Sequence, residues 1–123
     1  MEFFDSHAHY NDDKFDNDRS EVISSVEAEG ITRLVSVGYS VESSRFAQRI
    51  SEEYDFIYHS CGISPNDIPQ TEDELWKNLE EIKQIAKPKH SKLVAIGEIG
   101  LDYYLFYKSF FLQVSIFFIP III

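Results

Sequence analysis

Two imidazoles near the start of the chain and a carboxylate late in it are the side chains best placed to do chemistry. The first motif reads Asp5-Ser6-His7-Ala8-His9, the second Gly97-Glu98-Ile99-Gly100-Leu101-Asp102-Tyr103. In a strand, residues i and i+2 point to the same face. His7 and His9 can therefore converge on one metal ion. Asp5 shares their parity and can orient a histidine by accepting its second ring proton. Glu98 is either a third ligand or a surface carboxylate after an apolar run. Imidazole and carboxylate together suit Zn, Mn, Co or Mg without choosing among them. A cation held this way acidifies water and stabilises developing negative charge, which are the needs of a hydrolase.

The segments before each motif must position it. Glu2–Ser6 reads as a short strand and 31–37 as a β-branched one closed by Gly38. A third strand spans Phe56–Cys61 and ends at Gly62, and a fourth spans Lys92–Gly97. Between them lie three helical patterns. Asp18–Glu29 repeats Val22, Ile23 and Val26 and stops at Gly30. Val41–Glu53 carries a Phe46, Ala47, Ile50 stripe after a polar opening at Glu42-Ser43-Ser44. Thr71–Lys87 repeats Leu75, Leu79, Ile82 and Ile85, with Thr71 and Glu74 in capping-box spacing. Ser64-Pro65-Asn66-Asp67 reads as a loop. The order βαβαβαβ specifies a parallel α/β sheet with helices packed on it, and such folds build their sites at the strand ends. It fits an open sheet as well as the first half of a (β/α)8 barrel, whose usual length is about 250 residues.

At 123 residues the chain is one domain at most. A net charge of −10 has the wrong sign for a broad basic grip on nucleic acid. A phosphate would have to be met by local positive charge, such as a bound cation. The single cysteine, Cys61, excludes an internal disulfide and reads as a small buried hydrophobe. With no signal-peptide pattern at the start, the expected location is cytoplasmic. His59 is expected to pack or hydrogen-bond inside its strand, His90 to be solvated, and the acids of 72–81 to form a solvated helix face. Tyr103, Tyr104, Phe106 and Tyr107 either stack on bases or pack a rim.

From Leu105 the pattern changes to LFYKSFFLQVSIFFIPIII. A membrane anchor, a buried piece of the fold and aberrant sequence after a truncation all compete. The last is the expectation, because the amphipathic rhythm stops abruptly and the run carries Lys108, Gln113 and Pro120. The boundaries expected are 1–104 for the half-barrel and 105–123 for the tail, with no membrane tether.

The strings DSHAHYND, KFDNDR, TRLVSVGYSVESS and VAIGEIGLDYY, in this order, resemble the TatD family of metal-dependent DNases, TIM barrels of the amidohydrolase-like group. The resemblance covers 1–104, the N-terminal half of that fold. It implies that His7, His9 and Glu98 are metal ligands, with two divalent ions in the complete site and DNA as substrate. No catalytic residue is identified beyond these ligands, and no stable protein partner is expected. Two later histidines and an aspartate of the family pattern have no match here, so the chain alone is expected to cleave little or no DNA. Where the family has His-Pro-His, this chain has Ser64-Pro65-Asn66. The rival expectations are a non-catalytic half-barrel that binds metal weakly or pairs with another chain through a strand edge, and a membrane-tethered fragment.

Overall fold

A computed structural model describes residues 1–87 and 92–103. Its elements are β1 (Phe3–Ala8), α1 (Arg19–Ala28), β2 (Ile31–Val37), α2 (Val41–Glu53), β3 (Ile57–Cys61), α3 (Glu72–Ala86) and β4 (Leu93–Ile96). All three strand pairs are parallel, and the strand order is β1-β2-β3-β4. Sequential strands thus lie side by side with a helix in each crossover, the arrangement of one half of a (β/α)8 barrel.

The helix-covered side of the sheet holds the core. Ile23 of α1, Ile50 of α2, Leu34 and Ile57 pack together with Ala8 and Phe56. Leu75, Leu79, Ile82 and Ile85 of α3 pack with Cys61, Ile63 and Ile68. The helical spacing read from α3 is the buried stripe, and each such side chain contributes about 1.5–3 kcal/mol by leaving water. Burial pushes the Cys61 thiol up to about 11, so it is an unreactive core group at neutral pH. The opposite face carries Phe4, Arg33, Val35, Tyr58 and Val94 around an open cleft of about 230 Å³. Phe4 and Val94 are exposed there. Gly30 ends α1 at φ +101, a conformation that favours glycine.

Local chemistry departs from the sequence reading in three places. β1 runs on to Ala8 and contains a bulge: Asp5 pairs with Leu34 and Ala8 with Ser36, so three steps along β1 match two along β2. The inserted residue breaks strict alternation. Asp5 accepts the backbone N–H of His7 at 3.0 Å, bracing the bulge rather than a ring. Ser43 and Ser44 of the polar opening are buried. Ser40 and Ser43 form a reciprocal capping box, and Ser44 Oγ accepts the N–H of Gly62 at 3.2 Å. The 64–67 segment closes into a 3₁₀ turn, Pro65–Asp67, capped by the Ser64 hydroxyl.

The expectations for His90, Tyr104, Phe106, Tyr107 and 105–123 lie outside the described residues. Among the described residues, no helix is long and apolar enough to cross a membrane.

Candidate metal centre

β1 carries His7 near its C-terminal end, and His9 follows immediately. Glu98 follows β4, at the far edge of the same sheet. It reaches the histidines because the chain after β4 folds back across the strand ends. The Gly97 N–H donates to the Cys61 carbonyl at 2.9 Å, and the Glu98 N–H donates to the Gly38 carbonyl at 2.8 Å. This path lies directly on Gly62. A Cβ on Gly62 would meet the Glu98 carbonyl oxygen at 2.5 Å and the Gly97 carbonyl carbon at 2.6 Å. The glycine that reads as a strand stop is therefore the clearance under Glu98.

Three atoms able to ligate a cation converge there. His7 Nε2 and His9 Nε2 are 3.0 Å apart, and Glu98 Oε2 lies 3.7 and 3.6 Å from them. In the plane of that triangle one point is about 2.0 Å from all three corners, matching the roughly 2.0–2.2 Å bonds of nitrogen and oxygen ligands to zinc. The donor set and its spacing fit one divalent cation. His7 is exposed, and His9 and Glu98 are half-buried, so the cluster is open to solvent on one side.

His9 is held from behind. Its Nδ1 lies 3.1 Å from the Val37 carbonyl oxygen, which only accepts, so Nδ1 carries the proton and Nε2 presents its lone pair to the cluster. The Tyr39 ring packs edge-on against the His9 ring, with centroids 5.6 Å apart. Burial, reinforced by Asp12, Asp67, Asp13 and Glu42, holds the Tyr39 phenol above its ordinary range, so it is neutral at physiological pH.

The sequence model of the TatD related DNase family matches residues 4–117. The chain belongs to the TatD family. It is 45% identical over 103 residues to an uncharacterized metal-dependent hydrolase, YabD, of Bacillus subtilis, covering 82% of this chain and 38% of that protein. It is 31% identical over 100 residues to the 3′-5′ ssDNA/RNA exonuclease TatD of Cronobacter sakazakii, covering 81% of this chain and 36% of that protein. The crystal structure of YjjV, a TatD homologue from Escherichia coli, superposes with a TM-score of 0.79 at 24% identity, covering 93% of this chain and 43% of that one. The chain thus spans less than half the length of these relatives, and its fold is the corresponding part of a TatD barrel. The family match also runs past Tyr104 to 117, so the likeness extends into the apolar segment where the quoted motifs fade.

Several residues hold places that the sequence pattern alone did not show. Ser64, which stands in the loop where the TatD pattern has His-Pro-His, is buried. It caps the 3₁₀ turn and donates its hydroxyl to Asp67 Oδ2 at 2.8 Å. Asp102 is half-buried and Tyr103 exposed, and neither joins the three-residue cluster. His59 is fully buried in β3, as its apolar surroundings required. Tyr39, Gly38, Gly62 and Asn11 support the cluster. The glycines read as strand termination, and Tyr39 and Asn11 fell within the strings that resemble the family without a role of their own.

Proposed function

We propose that His7, His9 and Glu98 bind one divalent cation and that the chain contributes this part of a metal-dependent nuclease site whose substrate is DNA. The observation that carries the proposal is the convergence of two imidazole nitrogens and one carboxylate oxygen at ligand spacing on the mouth of a TatD fold. When bound, the cation supplies acidified water and neutralises charge on the phosphodiester. His9 offers a lone pair fixed by Val37, His7 offers the neighbouring nitrogen, and Glu98 supplies the negative charge that holds the ion. With a net charge of −10, the rest of the molecule repels a polyanion, so DNA contact concentrates at this cluster.

The two later histidines and the aspartate implied by the TatD pattern have no match here, so the chain alone is expected to bind a DNA end more readily than it cleaves it. Fluorescence anisotropy with a short labelled single strand tests this. Binding is expected in Mn, is expected to vanish with a chelator and to weaken in Glu98→Ala, with at most trace hydrolysis. Binding that ignores both the chelator and the mutation contradicts the proposal. The exposed Phe4 and Val94 on the open face favour a second reading, association with another chain, which sedimentation would register as a dimer.

Gly62→Ala gives a geometric check on the same site. The new methyl must displace backbone at Gly97 and Glu98, not a flexible side-chain tip. Divalent-cation affinity is expected to fall about tenfold or more, the usual effect of disturbing a ligand's support. Unchanged affinity in a folded Gly62→Ala protein would show that Glu98 is seated by something else.

A further inference from the structure

We propose that Asn11 is the positioning residue of the metal centre, locking the one backbone segment from which both His9 and Glu98 are hung; this rests on the reading of the cluster as a cation site. That segment is the end of β2. The Val37 carbonyl accepts the His9 Nδ1 proton, and the next carbonyl, Gly38, accepts the Glu98 N–H. One ligand from just past β1 and one from beyond β4 are thus fixed by two consecutive peptide oxygens. The two oxygens belong to adjacent peptide units joined at Gly38, so a displacement of the chain there moves both.

Asn11 resists that displacement by tying the end of β2 to α2. Its side chain is 4% exposed and sits between β2 and the first turn of α2. Nδ2 donates to the Val37 carbonyl at 3.0 Å and to the Ser43 carbonyl at 3.1 Å, while Oδ1 accepts the Ser36 hydroxyl at 3.4 Å. The amide orientation follows from chemistry: two carbonyls face one end, so that end is the NH₂ group. A carbonyl oxygen has two lone pairs, so Val37 can serve Asn11 and His9 together. The far end of the clamp is itself held. Ser43 Oγ accepts the backbone N–H groups of Tyr39 and Ser40 at 2.7 and 3.1 Å, so the turn joining β2 to α2 cannot slide. No other side chain bonds β2 and α2 at once next to the cluster among the described residues. A carboxylate of the same shape could make neither donor bond and would set its charge against two carbonyl oxygens.

The test compares Asn11→Asp with the wild-type chain by two readouts. The first is the ring ¹⁵N spectrum of His9 in metal-free protein. Wild type is expected to hold the proton on Nδ1, and Asn11→Asp to show a mixture of tautomers. The second is calorimetric titration with Zn, in which Asn11→Asp is expected to bind ten- to a hundredfold more weakly. Asn11→Ala removes both donors without adding charge and supplies the same comparison if the aspartate protein does not fold. Ser36→Ala loses only the bond to Oδ1, so it is expected to keep the wild-type tautomer, which separates positioning from packing. An unchanged tautomer and unchanged affinity in a folded Asn11 variant would overturn the proposal, as would an Nε2 proton on His9 in the wild type. If wild type binds no Zn, the cation-site reading falls, and the tautomer comparison still decides whether Asn11 fixes His9.

Discussion

Lowering the pH from 7 to 4 is expected to remove about 3 kcal/mol of folding stability through one side chain, His59. Its ring is fully buried under α2. Ser51 Oγ lies 2.8 Å from Nδ1 and donates its own proton to the Gln48 carbonyl at 2.7 Å. Ser51 has one proton to give, so His59 must donate from Nδ1, leaving Nε2 as a bare acceptor without a partner among the described residues. Protonating Nε2 would put a charge in apolar surroundings. Burial accordingly pushes the folded-state value from 6.5 down to about 4. The sign follows: above 6.5 neither state binds the proton and His59 contributes nothing to the pH dependence. Between 6.5 and 4 the unfolded chain takes up the proton and the folded one does not, so stability falls with pH. Below 4 the full loss is present. Urea unfolding of wild type and His59→Gln at pH 7, 5.5 and 4 isolates this side chain from the carboxylates that titrate alongside it. The wild-type curve should drop by about 3 kcal/mol more than that of the variant. Parallel curves would show that His59 does not stay neutral in the folded chain. A loss of this size is a large share of the 5–15 kcal/mol typical of a domain.

Much of the fold was legible because parallel strands and their crossover helices have different periods. The β-branched run at 31–37 and the Leu75, Leu79, Ile82, Ile85 stripe each admit one reading, and the structure has both. Four features were not legible, each for a physical reason. The bulge in β1 inserts a residue, and alternation written in the sequence carries no mark of an insertion. Ser43 and Ser44 look like solvent-facing residues, yet α2 comes so close to β2 and β3 that only small side chains fit. A Cβ on Gly38 would collide with Ser44. Asn11 stands in DSHAHYND with no role legible there, and its worth lies in two carbonyls that only the folded chain brings within reach. The pairing of His7 with His9 could be read from spacing. The approach of Glu98 could not, because it depends on a backbone path across Gly62 rather than on the strand that precedes it.

The largest functional effect is expected from the ligands themselves. Removing both imidazoles leaves Glu98 as the only ligand of the three, and one half-exposed carboxylate does not hold a divalent ion at micromolar concentrations. Removing only the charge, in Glu98→Gln, keeps two neutral nitrogens and should weaken binding without abolishing it. The order wild type, Glu98→Gln, then the double histidine variant is specific to a three-ligand site. General attraction to an acidic surface would instead be unmoved by the histidines and would fade with salt. The decisive measurement is calorimetric titration of Zn or Mn into the wild-type chain and into His7→Ala/His9→Ala, at matched pH and at 0.15 M salt. About one ion per wild-type chain is expected, with no measurable heat of binding in the double variant. Equal binding by the two proteins would contradict the three-ligand site.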